Sequence, residues 1–227
     1  MQQLADDLWI FEGETVTFYH CPFTTRMTVI RLPNGDLWLH SPIAYSFYLA
    51  EQLAILGTVR YLVAPNHLHH LYLTDWVKHY PDAHLFGTDE VVRKRADLQF
   101  ADSLNVAKAW PWNEEIDQVL VSGSSLMQEC VFFHRASETV IMTDLIENFP
   151  QNHFKGWRKL LCNWAGIIAP NGKTPIDWRL SFKKEVVREH IRTIRGWEPE
   201  RIVMAHGEII EEDAEAFLQR SFKWVGE

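Results

Sequence analysis

Imidazole and carboxylate side chains follow three predicted strands of this sequence, and both groups are ligands of transition metals. Three histidines lie within four residues after the first of these strands, an aspartate follows the second, and a histidine follows the third. In chain order these residues are His67, His69, His70, Asp144 and His206. Such a set suits zinc, iron or manganese. A divalent metal site is therefore our first hypothesis for the chemistry of the chain.

Apolar runs and helical spacing predict the elements that would position these side chains. The strands that precede the candidate ligands are predicted at Val59–Ala64, Thr139–Thr143 and Arg201–Ala205. Helices are predicted over Ala44–Leu56, His70–Tyr80, Phe154–Trp164 and Lys183–Arg195. Strands that alternate with helices indicate an α/β arrangement with parallel neighbours. Because ligands in such sheets lie beyond the carboxyl ends of the strands, we expect the candidate residues to meet at one edge.

A predicted hairpin offers one more candidate ligand. Two apolar strands flank the turn at 134–138 and should pair in antiparallel fashion. We take His134 and Thr139 as the pair that flanks the turn. This register places Glu129 opposite Asp144, at the end of the hairpin that carries the candidate site, and leaves His134 at the far end. A slip of one residue would reverse every side chain, so the assignment of Glu129 as a metal ligand depends on this register.

Charge and composition exclude several classes of partner. The 227 residues carry 22 Lys and Arg against 30 Asp and Glu, and this net charge of −8 argues against a nucleic-acid partner, since phosphate contacts need a basic face. No apolar run approaches the roughly 20 residues of a membrane span, so we expect no membrane partner. The acidic start lacks the features of a signal peptide. Cys21, Cys130 and Cys162 are far apart, which fits a reducing compartment, and we expect a cytoplasmic protein.

The order of these segments resembles the metallo-β-lactamase-like superfamily, and more closely a branch of unknown function with a degenerate metal site. The resemblance extends over roughly Leu8–Phe222. It depends on the segments Leu62–Leu71, Tyr80–His84, Phe133–Asp144 and Val203–Gly207. It implies a single domain over residues 1–227, of the α/β (α+β) class, built as a four-layer αββα sandwich with a metal site at one edge.

The resemblance also implies roles for the candidate ligands. The histidine run would be the first ligand cluster, with His69 and His70 preferred over His67. Asp144 would be the carboxylate that bridges two metals in complete members, and His206 would be the last ligand. The cofactor would be a divalent metal, with zinc preferred and iron or manganese as alternatives.

The chain departs from the complete pattern in two places. Complete members carry His-x-His-x-Asp-His, in which the Asp positions and deprotonates the nucleophilic water. Here residues 66–71 read Asn-His-Leu-His-His-Leu, with no Asp. The histidine that precedes the hairpin in complete members is also missing from Ser122–Glu129. We therefore expect one metal rather than two, with Glu129 as a substitute ligand.

These observations support two main hypotheses. The first is a metal-dependent hydrolase that acts on a small-molecule ester, lactone, thioester or phosphoester, with Asp144 and His70 as catalytic residues. The alternative is a non-catalytic scaffold of the same fold, metal-binding or metal-free, that binds a small molecule or a protein partner. An iron-based oxidoreductase ranks last, because residues 66–70 lack the carboxylates that such a site needs.

A Trp-rich insertion at about 147–182 separates two groups of predicted elements. Its tryptophans Trp157, Trp164 and Trp178 could cover the site as a lid or form the face of a homodimer. Arg179, near its end, is suited to bind an anionic group of a substrate, because a guanidinium can contact a carboxylate or phosphate through two hydrogen bonds. The sequence leaves the oligomeric state open.

Overall fold

The computed structural model describes residues 1–18 and 20–226. The chain divides into two compact units. The first unit consists of Met1–Glu14 and Thr25–Glu115. The second consists of Thr15–Thr24 and Ile116–Glu227, so a short segment near the start of the chain belongs with the C-terminal half.

The strands and helices follow the predicted order, with additional short elements. The strands are β1 (Gln2–Ala5), β2 (Leu8–Glu12), β3 (Val16–Phe18), β4 (Cys21–Phe23), β5 (Arg26–Arg31), β6 (Asp36–His40), β7 (Thr58–Ala64), β8 (His84–Gly87), β9 (Asp102–Ser103), β10 (Ile116–Val121), β11 (Glu129–His134), β12 (Thr139–Met142) and β13 (Arg201–Met204). The helices are α1 (Phe47–Leu56), α2 (Leu73–His79), α3 (Asp89–Lys94), α4 (Gly156–Ala165), α5 (Ile176–Ser181), α6 (Lys184–Gly196) and α7 (Ala214–Phe222). None of these helices is both long and apolar enough to cross a membrane.

The sheet of the first unit changes from antiparallel to parallel pairing at β6. Its strand order is β1-β2-β5-β6-β7-β8-β9. Strand β6 is antiparallel to β5, and β6, β7, β8 and β9 run parallel to one another. Parallel strands are covered on both faces, and Leu62, Val63 and Ala64 of β7 are fully buried. The predicted parallel arrangement is confirmed in this unit. The carboxyl ends of β6 and β7 lie at the same edge, where the histidine run follows β7.

A serine cap sets the start of the first helix. The Ser46 hydroxyl accepts a hydrogen bond from the Leu49 amide at 3.2 Å, so α1 begins at Phe47 rather than at the predicted Ala44. The helix buries Leu49 and Leu53. It ends before Gly57, as the sequence predicted. Apolar periodicity therefore located the helix, and the side-chain cap decided where it starts.

The main sheet of the second unit confirms the predicted hairpin and its register. The strand order is β10-β11-β12-β13, with β11 antiparallel to β12 and β12 parallel to β13. His134 pairs with Thr139 across the turn. At the opposite end Met142 pairs with Met204, so the residues that follow β12 and β13 emerge at one edge. This parallel pair brings Asp144 and His206 to the same place.

Helix α4 of the Trp-rich insertion packs on a cluster of buried side chains. The predicted helix at Phe154–Trp164 is present as α4, whereas the short α5 was not predicted, because its six residues carry too little periodicity. The cluster contains Cys21, Phe23, Phe149, Phe154, Cys162, Ile167 and Ile168. Two of its members come from the β3–β4 hairpin, so this early segment is part of the core of the second unit.

Candidate functional site

Asp144 and His206 form a buried acid–imidazole pair in the second unit. The Nε2 atom of His206 lies 3.1 Å from Oδ1 of Asp144, and each side chain is 6% exposed. Both residues follow neighbouring parallel strands, β12 and β13. The prediction that these two ligand candidates meet at one edge is therefore confirmed within this unit.

His206 is held by a main-chain oxygen and by aromatic rings. Its Nδ1 atom donates to the carbonyl oxygen of Thr24 at 2.5 Å. The ring of Phe23 meets it edge-on at 5.3 Å between centroids, and Phe149 stacks at 6.1 Å. Burial lowers the pKa of His206, but the hydrogen bond with Asp144, the charges of Asp144 and Glu147, and the Thr24 carbonyl outweigh burial and raise it to about 9.

Glu129 organises the main chain around Asp144. Its Oε1 accepts a hydrogen bond from the Thr143 amide at 2.8 Å, and its Oε2 accepts from the Thr143 hydroxyl at 2.6 Å and from the amides of Asp144 at 2.8 Å and Leu145 at 3.2 Å. The predicted proximity of Glu129 and Asp144 is thus confirmed. Burial and the charge of Asp144 raise the pKa of Glu129. These four contacts give Glu129 a positioning role, and metal ligation by it stays a prediction.

Glu147 is a buried acid that sequence reasoning missed. It is 5% exposed, and among the described residues its Oε2 atom has no hydrogen-bond partner. Burial raises its pKa to about 8, the charge of His206 opposes this shift, and the charge of Asp144 adds to it. A signal was present in the sequence, because Glu147 lies in the apolar stretch Leu145–Phe149. A carboxyl group there is expected to be buried, which is costly without a partner.

The predicted histidine cluster lies in a turn of the first unit, between β7 and α2. The side chain of Asn66 accepts a hydrogen bond from the Leu68 amide at 2.8 Å, and its carbonyl accepts one from the His69 amide at 3.2 Å. This asparagine turn delays the helix, which begins at Leu73 instead of the predicted His70. The turn spreads the three imidazoles over different surroundings.

His69 is held through its Nδ1 atom by a serine. Nδ1 of His69 lies 2.5 Å from the Ser41 hydroxyl. Ser41 follows β6, has φ of +55°, and donates its amide to the carbonyl of Val63 at 2.9 Å. A non-glycine residue in this region of backbone space is strained, and such strain is concentrated at functional positions. The sequence signal was the position of Ser41 after a strand that runs parallel to β7.

His67 and His70 have different surroundings from His69. Nδ1 of His67 lies 2.8 Å from Oε2 of Glu90 on α3. Nδ1 of His70 is buried and has no hydrogen-bond partner within the described part of the chain. Burial, and then the positive charges of Lys94 and Arg95, lower the pKa of His70 to about 4, so its ring is neutral at physiological pH.

Arg179 closes the end of a helix in the second unit. Its Nη2 atom donates to the carbonyl of Ala165, in the last turn of α4, at 3.1 Å. Its Nε atom is buried and has no partner among the described residues. Burial lowers the pKa of this guanidinium. The structure thus gives Arg179 a capping contact, and substrate binding by it stays a prediction.

His134 lies at the turn end of the β11–β12 hairpin, away from Asp144. Its Nδ1 atom lies 2.7 Å from the Ser137 hydroxyl within the same turn. Its exclusion from the candidate ligands is consistent with the confirmed register.

Solved structures align with nearly the whole chain. A metallo-β-lactamase from Pontibacter korlensis is 10% identical, with 99% of this chain and 97% of that chain covered and a TM-score of 0.63. A metallo-β-lactamase from Hirschia baltica is 13% identical, with coverage of 99% and 96% and a TM-score of 0.65. Rubredoxin oxygen:oxidoreductase from Desulfovibrio gigas is 12% identical, with coverage of 99% and 61% and a TM-score of 0.68. At these identities the likeness shows the fold alone, and it confirms the expected metallo-β-lactamase-like fold class.

Sequence comparison gives the family without an activity. The chain has no significant match among curated proteins. Residues 5–160 match the family described as domain of unknown function DUF4336. Because this match covers more than half of the sequence, the chain belongs to the DUF4336 family.

Proposed function

We propose that the protein is a metal-dependent hydrolase of the metallo-β-lactamase type that acts on a small molecule. The observation that carries the proposal is the orientation of His206. The Thr24 carbonyl holds its Nδ1 at 2.5 Å, so the Nε2 atom faces Asp144. Histidines that bind metals are typically oriented in this way, through an oxygen that accepts the hydrogen of the other ring nitrogen.

The imidazole of His206 and the carboxylate of Asp144 are suitable ligands for a divalent metal, but two ligands do not complete its coordination shell. Catalytic zinc sites use three protein ligands and keep a position for water. We propose that His69 supplies the third ligand, because Ser41 holds its Nδ1 as Thr24 holds that of His206. Zinc is the proposed metal, with iron and manganese as alternatives that the same donors accept.

The other candidate residues support this set in different ways. We propose that Glu129 fixes the direction of Asp144 through the main chain at 143–145. We propose that Asp144 and His70 are the catalytic residues, and that the neutral imidazole of His70 accepts a hydrogen bond from water or substrate. His67 is the weakest ligand candidate, because its Nδ1 pairs with Glu90.

A metal bound by these residues would polarise a substrate oxygen and lower the pKa of bound water toward about 7. The proposed substrates contain an ester, lactone, thioester or phosphoester bond, which this chemistry hydrolyses. Asp144 and His206 would orient the site, while their burial excludes bulk water from the pair.

A second candidate function is a scaffold of the same fold that binds a ligand or a partner without catalysis. The observation that favours it is the ion pair of Asp144 and His206, in which each group already has a charged partner. The absence of an Asp from residues 66–70 also favours it, since that Asp positions water in complete members of the superfamily.

Metal content distinguishes the two functions. Purified protein is stripped with chelator, reloaded separately with zinc, manganese and iron, and analysed by mass spectrometry beside four variants. We expect about one metal per chain in the wild type. Asp144→Asn and His206→Ala should lose it, and Ser41→Ala should bind about 10–100-fold more weakly. His134→Ala, which changes an imidazole at the far end of the hairpin, is the matched control and should retain it.

Loaded protein is then screened against ester, thioester and phosphoester substrates. Hydrolysis that requires both the metal and His70 would support the proposal. Absence of bound metal after all three reconstitutions, with a melting temperature that chelator does not change, would refute it and favour the scaffold.

A further inference from the structure

Helix α4 carries an exposed apolar stripe on the second unit. Trp157, Leu160, Leu161 and Trp164 are 58%, 72%, 52% and 70% exposed. Their spacing of three, four and seven residues places them on one face of the helix. Tryptophan and leucine are rarely left this exposed together, and contiguous apolar patches of this kind mark interaction sites.

The opposite side of α4 is anchored, so the stripe has a fixed direction. Cys162 is 5% exposed and belongs to the buried cluster with Phe149 and Phe154. Gly166 ends the helix in the left-handed conformation, with φ of +82°. Arg179 donates to the carbonyl of Ala165 at 3.1 Å. These contacts hold the helix in place while its apolar face remains uncovered in the isolated chain.

The charge around the stripe has the opposite sign to that of the chain. Residues 148–176 contain four basic side chains, Lys155, Arg158, Lys159 and Lys173, and no Asp or Glu. The whole chain has a net charge of −8. The guanidinium of Arg158 lies 5.5 Å from the centre of the Trp157 ring, beside the stripe. The patch thus combines exposed tryptophan and leucine with local positive charge.

We propose that α4 binds the surface of an anionic lipid bilayer. Tryptophan and leucine would enter the boundary between headgroups and acyl chains, while the basic side chains contact lipid phosphates. Local basic charge is the feature that selects an anionic surface. The proposal goes beyond the expectation of no membrane partner, which depended on the lack of a spanning segment. It is independent of the metal site.

A second copy of the chain would cover this face less well. A twofold dimer places the same patch on both sides of the interface. Arg158, which lies beside the stripe, would then be present on both sides of the interface, and like charges brought close together are unfavourable. An anionic bilayer supplies the complementary charge.

Co-sedimentation with vesicles tests the proposal. Wild-type protein is mixed with vesicles of phosphatidylcholine alone and with vesicles that also contain phosphatidylserine. We expect binding to the anionic vesicles that falls at high salt. The triple variant Trp157→Ala, Leu160→Ala and Trp164→Ala should bind the anionic vesicles at least about tenfold more weakly than the wild type. Arg158→Gln with Lys159→Gln should remove the preference for phosphatidylserine.

Helix α1 offers a matched control. Phe47, Tyr48 and Ile55 are 76%, 72% and 83% exposed on α1 in the first unit. Their triple alanine variant removes a similar exposed apolar surface and should bind vesicles as the wild type does. Since both sets are on the surface, circular dichroism and melting should remain unchanged.

Three results would overturn the proposal. The first is a lack of phosphatidylserine-dependent binding by the wild type, and the second is binding by the α4 triple variant that equals the wild type. The third is a concentration-dependent dimer in sedimentation velocity that the α4 variant abolishes, with no vesicle binding, because that result assigns the face to a second copy.

Discussion

The Nδ1 atom of His206 donates to the carbonyl oxygen of Thr24 at 2.5 Å, although the two residues are 182 positions apart. In the neutral ring this contact places the hydrogen on Nδ1, and in either protonation state it turns the Nε2 atom toward Asp144. The β3–β4 hairpin therefore takes part in the candidate site through its main chain. A change in that hairpin would turn the imidazole without any substitution of a candidate ligand.

The buried acids of the second unit predict how stability depends on pH in metal-free protein. The folded-state pKa of Glu147 is raised from 4.5 to about 8, so the folded state binds more protons than the unfolded state between these values, and stability falls as pH rises through this range. His206, raised from 6.5 to about 9, stabilises fully below 6.5 and loses this effect as pH rises through 9. The lowered pKa of His70, about 4 against 6.5, has the opposite effect, because its contribution to stability grows as pH rises to about 6.5. We therefore expect the free energy of unfolding to decrease from pH 6.5 to pH 9, where only the shifts of Glu147 and His206 act.

Replacement of Glu147 isolates its share of this dependence. Glu147→Gln should stabilise the chelator-treated protein by on the order of 2 kcal/mol at pH 8 and flatten the slope between pH 5 and pH 8. Urea unfolding at several pH values measures both effects. The exposed Glu212→Gln is the control and should follow the wild-type slope. A Glu147→Gln protein as pH-dependent as the wild type would show that this carboxyl group does not titrate as expected.

Glu129 is expected to stabilise the loop that carries Asp144. Glu129→Gln replaces a carboxylate that accepts four hydrogen bonds with an amide that accepts fewer, so the unfolding free energy should fall by about 2–3 kcal/mol. Metal binding should weaken with it, since the direction of Asp144 depends on these contacts. Glu138→Gln makes the same chemical change at the exposed turn of this hairpin and should cost less than about 0.5 kcal/mol. Equal losses in the two variants would contradict the positioning role.

Gly207 allows the chain to pass close to Asn148 after His206. Its φ is +97°, and a Cβ atom there would overlap the carbonyl group of Asn148. Gly207→Ala should therefore destabilise the protein by about 3 kcal/mol or more. Gly156 also has a positive φ, of +57°, but open space around it, so Gly156→Ala should cost about 1 kcal/mol. Thermal unfolding of both variants separates steric overlap from backbone strain, and a smaller loss for Gly207→Ala would disprove the overlap.

The sequence predicted those parts of the candidate site that depend only on side-chain type and on the order of the strands. Asp144 and His206 follow adjacent parallel strands, and a single hairpin register placed Glu129 beside Asp144. It was not informative about partners that are main-chain atoms or that depend on tertiary folding. The Thr24 carbonyl has no residue signature, and a serine such as Ser41 is common after a strand. The apolar neighbours of Glu147 indicated its burial, but tertiary packing decides that its Oε2 atom has no hydrogen-bond partner among the described residues.

The segment Thr15–Thr24 leaves the first unit and returns to it within ten residues. Its two ends are tied together, because the Gly13 amide donates to the Thr25 carbonyl at 2.8 Å. During translation this hairpin emerges long before Phe149 and Phe154, with which Phe23 packs in the finished protein. The ribosome must therefore release most of the polypeptide before Phe23 finds its partners. A gene cut after Glu115 would leave the hairpin on the wrong fragment, so neither half would carry a complete second unit.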